Sequence, residues 1–238
     1  MPLHAVSVLL LPGLGCDAEL FAHQAAALRA LARVHVSDAQ ARSTTLSEAA
    51  ALLWREHPGC HVLVGASMGG MLALEMHRRS PQRVQALALL GTTARPDTPE
   101  LIKLRTQACE LFAAGRLEEV LRANVVFAFH PSRTQHPGLV QRYLAMLERA
   151  GAVQLIRQNR AVMARVDSRP HLASIDCPVL VACGEADLLT TPEHAQEMAA
   201  LMPHARLELV AGAGHMLTIE QPERGSALLV RWLHALDG

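Results

Sequence analysis

The chain has 238 residues, half of them hydrophobic, and its 22 basic residues are balanced by 22 acidic ones. That length and apolar content are enough for one sizeable core and argue against disorder. Zero formal charge argues against an electrostatic hold on nucleic acid or on an anionic membrane surface.

In chain order, residues 6–11 (VSVLLL) read as a buried strand. The apolar run around them is too short to span a bilayer and lacks a basic leader and a cleavage site, so a reduced, cytoplasmic setting is expected. A turn with the pattern Gly13-x-Gly15-x-x-Ala18 follows, then a helix over 18–32, a strand over 33–37, and Asp38. Thr45 and Glu48 have the spacing of a capping box for a helix over 46–56. A strand over 61–64 runs into Gly65-Ala66-Ser67-Met68-Gly69, and a helix over 68–79 ends at Ser80-Pro81. The next strand covers 84–90.

From 95 to 170 the alternation of strand and helix stops. Gly115, Pro131, Pro137-Gly138 and Gly151 divide this stretch into four helical pieces. Alternation resumes with a strand over 179–183, a helix over 192–201 opened by Thr191-Pro192, a strand over 206–210 and a helix over 222–236 opened by Gln221-Pro222. The near-continuous apolar strands suit a parallel sheet covered on both faces. The expected fold is α/β, a mostly parallel doubly wound sheet. Its core comprises residues 1–94 and 171–238, with a helical insert over 95–170 at the carboxyl edge, where open α/β folds place ligands. The five cysteines (16, 60, 109, 177 and 183) include no C-x-x-C pair, so neither a disulfide framework nor a zinc site is expected. Cys60 and Cys183 fall in apolar strands and read as inert core residues.

The strand, Gly65-x-Ser67-x-Gly69 and the helix after it form the strongest chemical signal. A serine nucleophile must stand clear of the sheet on a sharp turn, and the residues two before and two after it must be small. The following helix points its N-terminus at the serine and favours developing negative charge. Two later strand ends offer a base and its orienter: Asp187 in Gly184-Glu185-Ala186-Asp187, and His215 in Ala211-Gly212-Ala213-Gly214-His215. All three lie at strand carboxyl ends, in the order Ser, Asp, His. Ser67 would attack a carbonyl, His215 would take and return the proton, and Asp187 would hold His215 in the right tautomer. Asp97, at the start of the insert, is a second candidate acid. Glu185 should point away if Asp187 points in.

At these residues the sequence resembles the α/β-hydrolase family over essentially its whole length. GASMGG resembles the nucleophile elbow, GEADLLTTPEHAQEMA the acid strand with its helix, AGAGHMLTIEQPE the histidine loop, and the helical insert the cap. The resemblance implies hydrolysis of an ester, thioester, lactone or related bond without a cofactor or metal. It also implies an oxyanion hole made by the backbone N–H groups of Leu14 and Met68. Pro12-Gly13 stands where the family commonly has His-Gly, the glycine loop after the second strand is shortened to residues 38–43, and no antiparallel hairpin precedes the first strand. These departures suggest a compact member. Ser67 separates it from the related branches that use an aspartate nucleophile.

Leu14, Met68, Leu188 and Met216 are the expected apolar walls of a pocket for a small, largely apolar ester. Phe127, Phe129 and His130 are further candidates from the insert. No arginine is assigned to a substrate carboxylate, and the oligomeric state is open. The same triad would serve a lactonase, a thioesterase or a C–C bond hydrolase. Two readings come from other classes. One is an NAD-dependent oxidoreductase using Gly13, Gly15 and Ala18, with Asp38 twenty residues on as the ribose-binding acid. It leaves Ser67, Asp187 and His215 as coincidences, and the single Tyr143 and single Lys103 do not form a Tyr-x-x-x-Lys pair. The other is a non-catalytic ligand receptor of the α/β-hydrolase type.

Overall fold

The structure, a computed structural model, describes residues 6–236. Six strands form one parallel sheet: β1 (Ser7–Leu11), β2 (Arg33–Val36), β3 (His61–Ala66), β4 (Val84–Leu90), β5 (Val179–Gly184) and β6 (Ala205–Val210), in the order β2-β1-β3-β4-β5-β6. The chain moves outward from β1 to β2 and then crosses back to lay β3 on the other side of β1. That reversal opens a crevice beyond the carboxyl ends of β1 and β3, the place where doubly wound sheets bind ligands.

The apolar runs predict the central strands well because both faces are covered. Along β4, Ala86, Ala88 and Leu90 enter one core while Leu87 and Leu89 enter the other. The edge strands differ. In β2 and β6 much of the chain is half-buried or exposed, because an edge strand lacks a neighbour on one side.

The helices flanking the sheet follow the sequence closely. A 3-10 turn (Ala18–Phe21) leads into α1 (Ala22–Arg29), and a four-residue helix α2 (Ala39–Arg42) follows β2. α3 (Leu46–Glu56) and α4 (Met68–Arg79) have the expected bounds. Thr45 caps α3 by accepting the Glu48 N–H at 3.0 Å, but the Glu48 carboxylate returns to the N–H and hydroxyl of Thr44 rather than to Thr45. Between β4 and β5 lie α5 (Pro99–Ala113), α6 (Leu117–Ala128), α7 (Pro137–Met163) and the short α8 (Arg169–Leu172). α7 turns a corner at Gly151, whose backbone is non-helical, and both α5 and α6 pack on it. After β5 comes α9 (Pro192–Leu201), and after β6 the short α10 (Leu217–Glu220) and α11 (Pro222–His234). Thr191 precedes α9 without making the expected side-chain cap; Pro192 takes the first turn alone.

Cys183 is buried in β5 as expected, and burial pushes its thiol up to about 12. Cys60 is exposed, because it lies one residue before β3 begins. Among the described residues no helix is long and apolar enough to cross a membrane.

Candidate active site

Ser67 sits between β3 and α4 at φ 53° and ψ −117°, and it is the only non-glycine residue at positive φ among those described. The turn holds this strained geometry because the surroundings fix it. The Ser67 N–H donates to Leu90 O at 2.9 Å, and the Ser67 carbonyl accepts the Thr92 hydroxyl at 2.7 Å. Smallness at 65 and 69 is a steric necessity. A Cβ on Gly65 would run into the Gly69 carbonyl, and one on Gly69 would run into the Leu11 carbonyl.

The loops after β5 and β6 bring the other two residues to Ser67. His215 Nε2 lies 2.9 Å from Ser67 Oγ, and His215 Nδ1 lies 2.9 Å from Asp187 Oδ2. Asp187 Oδ1 accepts the N–H groups of Leu189 and Thr190, each at 2.9 Å, and Oδ2 also accepts the Thr190 hydroxyl at 2.9 Å. Burial, the largest single influence, pushes the Asp187 carboxyl up, but His215 and these donors outweigh it and hold it below its ordinary value. Asp187 is therefore an ionised acceptor. His215 must carry its proton on Nδ1, which leaves Nε2 free to accept the Ser67 O–H. Burial works against a charged His215 more than any other single influence. The charge and hydrogen bond of Asp187, aided by Glu220, override it and raise the imidazole above its ordinary value. The arrangement can draw a proton from Ser67 and stabilise the imidazolium that results.

Two further carboxylates, Glu185 and Glu220, hold this apparatus in place. Glu185 points away from Ser67 and accepts the Gly212 N–H at 2.8 Å, fixing the start of the histidine loop. Glu220 is buried and accepts the N–H of Gly214 at 2.8 Å and that of His130 at 2.7 Å. Burial raises its carboxyl and the two N–H groups moderate the rise. The histidine loop is thus tied to the end of α6, and the Met216 N–H adds a bond to Ala128 O at 3.0 Å. Sequence gave no role to Glu220 or Thr190. The short spacing from Asp187 to Thr190 is the only local hint of the latter.

The loop after β1 lies against the serine, with a Cβ built on Gly13 falling 3.4 Å from Ser67 Cβ. The N–H groups of Leu14 and Met68 donate no hydrogen bond among the described residues, and both residues line the cavity at Ser67. Gly15 has φ 71°, its N–H donates to Gln158 Oε1 at 2.7 Å, and Leu147 and Leu155 of α7 occupy the space where a side chain would stand. Asp38 is exposed and pairs with Arg42 at 2.9 Å. The oxidoreductase reading fails on both points, since the loop faces Ser67 and the acid faces solvent.

A cavity of about 290 Å³ runs from Ser67 to the helices between β4 and β5. Leu14, Met68 and Met216 line it as expected; Leu188, Phe127, Phe129 and His130 do not. Leu188 is 57% exposed, because the loop wraps the Leu189 and Thr190 amides round Asp187 and turns residue 188 outward; Leu189 lines the cavity instead. Phe127 is on the outer face of α6, and Phe129 is wholly buried edge-on to Tyr143, with ring centroids 5.2 Å apart. The His130 ring pairs with Ser132. The far wall instead carries Asp97, Arg105, Asn159 and Arg165. Asp97 is bound at 2.7 Å by both Arg105 and Arg165, so the second candidate acid is committed to two guanidiniums and leaves His215 to Asp187.

Comparison with known proteins shows the family to which the chain belongs. The family model described as the alpha/beta hydrolase family matches residues 8–227. The RutD protein of Serratia proteamaculans, named as a carbamate hydrolase, is 30% identical over 203 residues, which cover 83% of this chain and 74% of that protein. A pimeloyl-[acyl-carrier protein] methyl ester esterase of Neisseria meningitidis is 27% identical over 177 residues, covering 70% of this chain and 66% of that one. Among solved structures, a thermophilic esterase from Thermogutta terrifontis superposes with a TM-score of 0.88 at 26% identity, covering 98% of this chain and 90% of that chain. An enol-lactonase from Burkholderia xenovorans shares the fold, with a TM-score of 0.87 at 23% identity, over 97% of this chain and 92% of its own.

Proposed function

Because this chain belongs to the alpha/beta hydrolase family, we propose that it is a serine hydrolase cleaving a carboxylic ester of a small substrate through a covalent acyl-enzyme. The observation that carries the reading is the continuous chain of 2.9 Å contacts from Ser67 Oγ through His215 to Asp187. Ser67 Oγ attacks the ester carbonyl while Nε2 of His215 takes its proton. The carbonyl oxygen gains negative charge and is met by the free N–H groups of Leu14 and Met68 and by the N-terminus of α4. The imidazolium, stabilised by Asp187, returns the proton to the leaving alcohol. Water then repeats the sequence on the acyl-enzyme and frees Ser67. In this reading residues 95–170 act as a cap whose helices close the cavity and set the length of acyl chain it admits.

The esterase relatives favour an ester as the bond cleaved. Lactone, thioester and C–C bond cleavage would use the same three residues. The test is labelling with a fluorophosphonate, followed by peptide mass spectrometry. Ser67 alone should carry the label, and Ser67→Ala should lose both the label and turnover of 4-nitrophenyl butyrate. Label on another residue with Ser67 free would overturn the assignment. Wild-type protein that binds esters without turning them over would favour a non-catalytic receptor.

A further inference from the structure

Arg105 and Arg165 both hold Asp97, but they spend their remaining donors differently. Arg165 is nearly buried, with a side chain 6% exposed. All three of its nitrogens are engaged: Nε and Nη2 at the Arg95 carbonyl, Nη1 at the Val162 carbonyl, and Nη2 also at Asp97. Only one N–H of Nη1 is left over, so it cannot make a two-bond contact with a ligand and serves to fix the Asp97 carboxylate.

Arg105 is 28% exposed along its side chain and lines the cavity. Its Nε donates to Asp97 at 2.7 Å and its Nη1 to Asn159 Oδ1 at 3.0 Å. Asn159 is itself held by donation of its Nδ2 to Leu155 O at 2.9 Å. Among the described residues Nη2 of Arg105 has no acceptor, and one N–H of Nη1 is also unused. The guanidinium is clamped on one edge and open on the other. Its charge also reaches the reacting residues, since it opposes protonation of His215.

The local charge is not balanced. One carboxylate, Asp97, faces two guanidiniums, which leaves one positive charge in excess. The neighbouring Arg95 is already matched by Glu197 at 2.7 Å. A rigid, partly desolvated guanidinium with two adjacent free donors fits a planar carboxylate in the two-bond manner that lysine cannot reproduce.

We propose that Arg105 binds a free carboxylate on the substrate, so that the enzyme acts on half-esters of short dicarboxylic acids, with the ester carbonyl at Ser67 and the free carboxylate at Arg105. This rests on the serine hydrolase reading above and narrows its substrate class. Leu14, Leu147 and Leu155 give the same cavity apolar wall, against which the methylene chain lies.

The test uses 4-nitrophenyl half-esters of glutaric and adipic acids beside neutral isosteres in which the free carboxylate is a primary amide. The wild type should prefer the acid over the amide by about tenfold to a hundredfold in kcat/KM on at least one chain length. In Arg105→Met that ratio should fall to near one, and in Arg105→Lys it should be retained in part. Any effect of the substitution on folding or on Ser67 cancels in the ratio. A wild type without preference on either chain length, or a ratio that Arg105→Met leaves unchanged, overturns the proposal. Should Arg105→Met fail to fold, inhibition of the wild type decides: glutarate should compete at least about tenfold more strongly than glutaramide, and equal inhibition overturns it. Ser67→Ala is the separate control. Turnover of either ester by that variant would refute the serine hydrolase reading, whereas Ser67-dependent turnover with an unaltered ratio would refute the role of Arg105 alone.

Discussion

The two ends of the cavity are built by different means. At the sheet end, Ser67, Leu14 and His215 stand on turns leaving parallel strands, and hydrogen bonds between backbones fix where they stand. At the helical end, Arg105 and Asn159 come from α5 and α7, and their places depend on side chains gripping one another across the helix interface. A reacting atom must be placed within a few tenths of an ångström, which a sheet edge can do. Selectivity among substrates can be set by a few side chains on elements that tolerate change. On the proposed function, the molecule separates what it does to a bond from which bond it admits.

Substitutions can break or sharpen that division. Asp187→Asn should produce the largest effect, a fall in kcat/KM of about 10³-fold or more, since the wrong tautomer then faces Ser67. It should act alike on every ester tried. A loss confined to some esters would break the division. Leu147→Ala, at the helical end, should shift preference toward longer acyl chains by about tenfold and lower stability by roughly 2–4 kcal/mol, measured by steady-state kinetics and denaturant titration. If it lowered kcat on short esters as Asp187→Asn does, the two ends would not be separable.

The pH dependence belongs to the sheet end alone. His215 must be neutral to accept a proton, and Asp187 raises it above the ordinary 6.5. The kcat/KM of every substrate should therefore rise with pH through a midpoint above 6.5, and Asp187→Asn should move that midpoint down. A flat profile from pH 5 to 8 would count against His215 as the base. The sign for stability is the reverse. A raised histidine lends stability in full below its unfolded value, lost as pH rises through the folded one. Asp187, lowered from 3.8, lends stability above that value, lost as pH falls through its folded one. His215→Gln should therefore lower Tm most between about pH 4 and 6.5, with the deficit shrinking as pH rises further. The smallest expected effect is a gain. Ser67→Gly relieves a strained positive φ and should raise stability by about 1 kcal/mol, which would show that the sheet end holds its serine against a local cost.

The same contrast explains what could be read from sequence. Ser67, Asp187 and His215 were legible because each follows an apolar strand, so a one-dimensional pattern placed all three on one edge in three dimensions. The glycines at 65 and 69 were legible because local sterics alone demand them. Arg105 was not, because it is one arginine among many on a helix, and only the fold brings it to Asp97 and Asn159. Leu188 misled because neighbouring residues on a loop do not share a direction: hydrogen bonds hold the amides of 189 and 190 at Asp187, and of the two half-exposed leucines only Leu189 borders the cavity. Phe127 and Phe129 stand two residues apart at the end of α6, yet one faces solvent and the other is buried against Tyr143.

Glu220 joins these two ends. Its carboxylate holds the N–H of Gly214, next to His215, and the N–H of His130, just past α6. A fluctuation that melts the end of α6 must release one of these bonds and loosen the loop that carries His215. Opening of the helices between β4 and β5 and loss of the Ser67–His215–Asp187 contacts are then one cooperative event. On heating or in mild denaturant, activity and amide protection in α6 should disappear together, ahead of the sheet, whose central strands make no use of this tie.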